Sequence, residues 1–251
     1  MTLGSGRIPA IMKKVKALLL MTVLLYQGIN GEPVSRPADF LARRKRMVQA
    51  KIAAAKVALE NLLAGNQRFI KSERAPRDFK LRRERLISGQ KPMAIVLGCS
   101  DSRVSPEVLF DKNLGEIFVI RTAGQVLEPT SIASIEYAVD HLGVPLFIIL
   151  GHEKCGAVTA AVAHEGPAPG NIGVLLSKIQ PAIARARALN TPPEEMVEKV
   201  TDLHLEELAQ QVLRESDIIR QAVAEGRLRL VIAKYKLTSG EVQIFHGDYR
   251  G

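Results

Sequence analysis

Cys99-Ser100-Asp101-Ser102-Arg103-Val104 and His152-Glu153-Lys154-Cys155-Gly156 are the two stretches around which this chain reads. Each follows an apolar run of strand length: Met93-Ala94-Ile95-Val96-Leu97 before the first, Leu146-Phe147-Ile148-Ile149-Leu150 before the second. Short apolar runs of this kind, bounded by polar, glycine-flanked turns, read as buried strands. Two thiolates and one imidazole delivered from neighbouring strand ends make a Cys2His zinc site with a fourth position open. A water on such a position loses a proton near neutral pH. Cys99, His152 and Cys155 are therefore the candidate ligands. Gly98, Gly151 and Gly156 are expected to supply the tight backbone geometry of the two turns.

Working outward, further strands are expected at Ile117-Phe118-Val119-Ile120 and Leu228-Arg229-Leu230-Val231-Ile232-Ala233, and helices at about 130–142, 155–164, 170–188 and 194–225. Strands alternating with helices imply an α/β fold, a central and mostly parallel β-sheet flanked by helices. Val242-Gln243-Ile244-Phe245, after the Ser239-Gly240 turn signal, is expected to add a C-terminal antiparallel edge strand. A long N-terminal helix is expected from Arg43 to about Phe69, with Val48, Ile52, Ala55, Leu59, Leu62 and Leu63 at helical spacing and Gly65-Asn66 ending or bending it. Arg74 to Gly89 reads as a loop with a short helix. Both motifs then lie at carboxyl ends of parallel strands, where open α/β sheets form their ligand crevices.

Ahead of this, Lys13-Lys14-Val15-Lys16 precedes ten apolar residues, Ala17 to Tyr26, and a polar tail to Gly31. Residues 1–31 thus read as a secretory signal peptide, too short in its apolar part for a stable membrane span. Residues 32–42 read as a linker and 43–251 as a single domain. Periplasmic or secreted protein is the expected location, with the cytoplasm as the alternative. The net charge of +9 hints at nucleic acid, but nine Lys or Arg fall within the first 50 residues against only Glu32 and Asp39. The remainder is close to neutral and has no aromatic–basic platform, so no nucleic-acid partner is expected. Both cysteines sit in the two motifs, which leaves none for a structural disulfide.

Cys-x-Asp-x-Arg after one strand and His-x-x-Cys-Gly after another are far more specific together than either alone. With them stand Gly65-Asn66-Gln67-Arg68-Phe69, Arg121-Thr122-Ala123-Gly124 and Ile135-Glu136-Tyr137-Ala138-Val139. In these residues the sequence resembles the β-class carbonic anhydrases. The resemblance implies a zinc enzyme that interconverts carbon dioxide and bicarbonate, with one Zn2+ per chain on Cys99, His152 and Cys155. It also implies a homodimer or a dimer of dimers. Asp101 and Arg103 would form the catalytic dyad beside the metal. An aspartate two residues from a ligand can take the fourth zinc position itself; a guanidinium nearby can hold the same carboxylate in a bidentate pair and leave the metal to water. In that open state Asp101 would accept the proton of the zinc-bound hydroxide and aim its lone pair at carbon.

The plant-type branch matches further. Gln90 stands where an amide binds substrate oxygen, Phe118 and Tyr137 where an apolar wall faces carbon dioxide, and Gly156 offers a backbone N–H near the metal. Ala123 replaces a usual valine, and Thr122 and Gln125 replace asparagines. The other branch's bicarbonate switch uses tryptophan, which this chain lacks, so no such switch is expected. Hydrolysis of carbonyl sulfide or carbon disulfide is the alternative reaction on the same scaffold. A zinc-stabilised protein without turnover is opposed by the intact motif set. His141, His164, His204 and His246 read as ordinary exposed or helix-surface histidines.

Overall fold

The structure, a computed structural model, describes residues 37–164, 166 and 168–249. The expected signal peptide and residues 32–36 of the expected linker lie outside them. The chain divides at Met47. Before that point the described residues form the exposed start of α1 (Pro37–Ile70), and from Val48 onward they build the unit that carries both motifs.

α1 begins at Pro37 rather than the expected Arg43, within the segment read as a linker. Proline suits a first helical turn, where its missing N–H has no partner to lose. At its other end α1 continues past Gly65-Asn66 to Ile70, beside the expected end at about Phe69. Gly65 is there for space: a Cβ would collide with the Phe110 carbonyl oxygen. Asn66 is buried and ties the helix to distant chain, donating from Nδ2 to the carbonyls of Leu109 and Gly240 and accepting from the Val242 N–H.

After α2 (Phe79–Arg85) come β1 (Ala94–Cys99), α3 (Pro106–Leu109), β2 (Ile117–Thr122), α4 (Pro129–Asp140), β3 (Leu146–His152) and α5 (Gly156–Ala163). Then follow α6 (Gly170–Ser177), α7 (Gln180–Ala188), α8 (Met196–Glu215), α9 (Asp217–Ala224), β4 (Arg229–Tyr235) and β5 (Val242–His246). The sheet order is β2-β1-β3-β4-β5, parallel throughout except for β5, as the sequence implies. Two expected helices are each split in two. Pro181 clashes with a helical carbonyl four residues back, at Ser177, and separates α6 from α7. Ser216 starts α9 by accepting the Ile219 N–H on its hydroxyl oxygen, a cap that also donates to Glu136.

Alternating side chains of the buried strands feed two cores. Ile95, Leu97, Phe147, Ile149, Leu230 and Ile232 pack with helices α4, α8 and α9 on one face. Val96, Leu146, Ile148, Leu150, Val231 and Ala233 pack with α1 on the other. Because β1 is followed by β2 on one side and β3 by β4 on the other, the strand order reverses between β1 and β3. A crevice opens at their carboxyl ends, and both motifs sit there.

Candidate metal centre

Cys99 ends β1, His152 ends β3, and Cys155 caps the N-terminus of α5. The three are buried, and their Sγ and ring nitrogen atoms lie within 4.8 Å of one another. His152 Nδ1 donates to the Glu153 carbonyl at 2.8 Å, which leaves the Nε2 lone pair facing the sulfurs. That nitrogen is buried with no hydrogen-bond partner. A buried lone pair beside two thiols is the donor set of a soft divalent cation, and zinc fits it.

The sulfurs are prepared unequally. Cys99 Sγ accepts backbone N–H groups from Gly124 at 3.3 Å and Asp101 at 3.4 Å. Its thiol is lowered to about 4, with the hydrogen bond from Cys155 the largest cause, while that bond and burial push Cys155 up. A cation bound by both sulfurs must displace their protons.

Asp101 lies beside this cluster, Oδ2 4.0 Å from His152 Nε2. Arg103 holds it through Nε to Oδ1 at 2.9 Å and Nη2 to Oδ2 at 2.7 Å, with the Arg103 N–H adding a third bond at 3.0 Å. This guanidinium outweighs burial and keeps the Asp101 carboxyl well below the usual carboxylate range. Arg121 braces the turn from behind, donating to the carbonyls of Cys99 and Asp101.

The three flanking glycines do not supply unusual backbone angles. Gly98, Gly151 and Gly156 all avoid the left-handed region, which is occupied instead by Gly124, Gln125 and Lys154. Gly151 is a matter of room, since a Cβ there would meet Leu205, whereas one on Gly156 would meet nothing within 4 Å.

Gln90, Phe118 and Tyr137 are not brought to the cluster within one chain. Phe118 pairs with Ile95, four residues before Cys99, or about 13 Å back along the strand. Tyr137 is 46% exposed and packs near Phe118 with ring centroids 6.3 Å apart. Gln90 is exposed and precedes the amino end of β1, in a segment whose Leu86 lies against Gly115.

The supporting roles of His204 and Lys234 escaped the sequence reading. His204 is buried in α8, not on its surface, with burial lowering its pKa, and it donates from Nε2 to the Gly124 carbonyl at 2.8 Å. Gly124 in turn donates to Cys99. Gln125 is buried and donates to the carbonyl of Leu150, two residues before His152, while Thr122 closes its own turn on Val126. Buried Lys234 pairs with the half-exposed carboxylates of Glu198 and Asp202 behind the second motif. A lone lysine in the apolar run Leu230 to Tyr235 was the available signal, since a charge there demands partners.

Known proteins share this chain's sequence and fold. The carbonic anhydrase family pattern matches residues 94–242. Carbonic anhydrase 2 of Mycobacterium tuberculosis is 37% identical over 187 residues, covering 73% of this chain and 89% of its own. A carbonic anhydrase of Mycolicibacterium smegmatis is 38% identical over 191 residues, covering 74% and 91%. Among solved structures, a tetrameric β-carbonic anhydrase from Sordaria macrospora superposes with a TM-score of 0.59 at 28% identity, over 65% of this chain and 85% of that one.

Proposed function

The chain belongs to the β-class carbonic anhydrase family, and from that premise we propose that it hydrates carbon dioxide reversibly to bicarbonate and a proton at zinc held by Cys99, His152 and Cys155. The observation that carries the reading is the buried, unpartnered His152 Nε2 facing two thiols, with a pinned carboxylate at its side. Zinc at this place supplies a Lewis-acidic position on which water becomes nucleophilic near neutral pH.

The chain's own residues do the rest. Arg103 keeps both carboxylate oxygens of Asp101 engaged, so that Asp101 stays off the fourth position. With the metal bound, a remaining lone pair of Asp101 would accept a hydrogen bond from the attacking water and orient it. Release of Arg103 would free Asp101 to close the site. Gly156 adds a backbone N–H at the N-terminus of α5, where a developing negative charge on bicarbonate is favoured.

The same reading assigns Gln90, Phe118 and Tyr137 to the site of a second chain in a homodimer or dimer of dimers. Their distance from their own cluster and the exposure of Tyr137 support this. Export to the periplasm or medium, on the segment from Lys13 to Gly31, completes the proposal. Protein from the native host that retains its intact N-terminus would contradict export.

Zinc analysis with hydration kinetics tests the main reading. One zinc per chain, rapid carbon dioxide hydration, loss on chelation and recovery on zinc return are expected. A zinc-replete protein without hydration would overturn it, and carbonyl sulfide would be the next substrate to try.

A further inference from the structure

The turn that carries two of the three ligands is gripped from outside by a charge cluster to which nothing above assigns a role. Lys234, buried at the end of β4, places Nζ 2.7 Å from Glu198 Oε2 and 2.7 Å from Asp202 Oδ1. Glu198 and Asp202 stand four residues apart on α8 and so present both carboxylates to one cation. Only Glu198 reaches further: its second oxygen, Oε1, accepts the Lys154 N–H at 2.8 Å. Lys154 immediately precedes the ligand Cys155 and sits in the left-handed region at φ +50°. Its carbonyl accepts Arg103 Nη2 at 3.4 Å. A left-handed residue without glycine's freedom needs outside contacts to hold it. Glu198 on the N–H and Arg103 on the C=O are those contacts.

We propose that Glu198, anchored by Lys234, is a positioning residue of the zinc centre that holds Lys154 in place and thereby sets both the Cys155 ligand and the seat of Arg103. This rests on reading Cys99, His152 and Cys155 as zinc ligands. It separates Glu198 from Asp202, which shares the lysine but touches nothing in the turn. Hydrogen-bonding groups around ligands of this kind are worth about 10–100-fold in metal affinity or activity.

The test compares Glu198→Ala, Glu198→Gln and Asp202→Ala in the full-length protein. The readouts are the rate of zinc transfer to a chelator, the visible absorption of the cobalt-substituted protein, and the thermal midpoint. Glu198→Ala is expected to release zinc about 10-fold faster or more and to shift the cobalt bands. Glu198→Gln, whose amide oxygen can still accept the Lys154 N–H, is expected to restore both toward wild type. Asp202→Ala is expected to lower the thermal midpoint while leaving zinc release and the cobalt bands unchanged. If Glu198→Ala does not fold, Glu198→Met, which keeps the side-chain bulk but lacks the acceptor, takes its place. Wild-type zinc release and cobalt bands in the variant lacking the acceptor would overturn the proposal, as would equal zinc loss in Asp202→Ala. These readouts do not use turnover, so a chain that binds zinc but hydrates nothing would defeat the proposed reaction and leave this inference standing.

Discussion

Two aspartates in this protein are each gripped by arginine, and the two grips are built for opposite ends. Asp101 meets a partner two residues away, Arg103, whose side chain is 51% exposed, and is itself 16% exposed. Asp111 is wholly buried and draws its partners from far along the chain: Arg68 Nε at 2.7 Å from α1, Arg77 Nη2 at 2.9 Å and the Ala75 N–H at 3.1 Å. A local pair at the mouth of a crevice can part into water with little cost to the fold. A buried carboxylate holding α1 and the loop after it cannot, because losing it leaves two guanidinium groups short of their counter-charge. The same ionic chemistry is thus a movable part in one place and a fastening in the other, and burial and sequence separation decide which.

The comparison breaks most visibly at the fastening. Asp111→Ala is expected to lower the unfolding free energy by about 3–5 kcal/mol, read from urea denaturation, while hydration per folded, zinc-loaded molecule stays near wild type. A small stability change would place Asp111 with the movable pair. Asp101→Ala should show the reverse pattern: an unchanged urea midpoint and zinc content, with hydration down about 100-fold or more. Arg103→Lys sharpens the point about geometry. An ammonium keeps the charge but cannot grip both oxygens, so a loss of about tenfold in hydration at full zinc occupancy is expected. Unchanged hydration would mean that charge alone suffices.

The smallest effect is in acid. Burial alone would raise the Asp111 carboxyl, but the bonds from Arg68, Ala75 and Arg77 outweigh it and hold it below the usual carboxylate range. A depressed folded pKa means that the ion pair's contribution is present above about pH 4 and is lost as pH falls through the folded value. The gap in urea midpoint between wild type and Asp111→Asn should therefore stay constant from pH 7 to 5 and narrow below pH 4. A gap that is unchanged at pH 3 would contradict the assignment.

The same contrast explains what could be read before the fold was seen. Cys99, Asp101, Arg103, His152 and Cys155 lie in two short, contiguous motifs, each after an apolar strand, and local spacing carries them. The sheet was legible for the same reason, because its strands are short apolar runs of one kind. Asp111, His204, Glu198 and Lys234 act through partners 30 or more residues away, and spacing along the chain says nothing about them. The helix breaks at Pro181 and Ser216 were written in residue types with a local mechanism, a proline and a capping serine, yet lay inside patterns apolar enough to read as continuous. What spacing could not show is why Gly65, a breaker by propensity, stands near the end of α1: the Phe110 carbonyl leaves no room for a side chain.

The most direct test of the account is stopped-flow carbon dioxide hydration by Asp101→Ala beside wild type, at one zinc per chain in both. The account predicts rapid hydration by wild type and a loss of about 100-fold or more in the variant, with zinc content and urea midpoint unchanged. Full hydration by the variant would show that the Asp101–Arg103 pair is no working part of the site, and the contrast with Asp111 would fall with it.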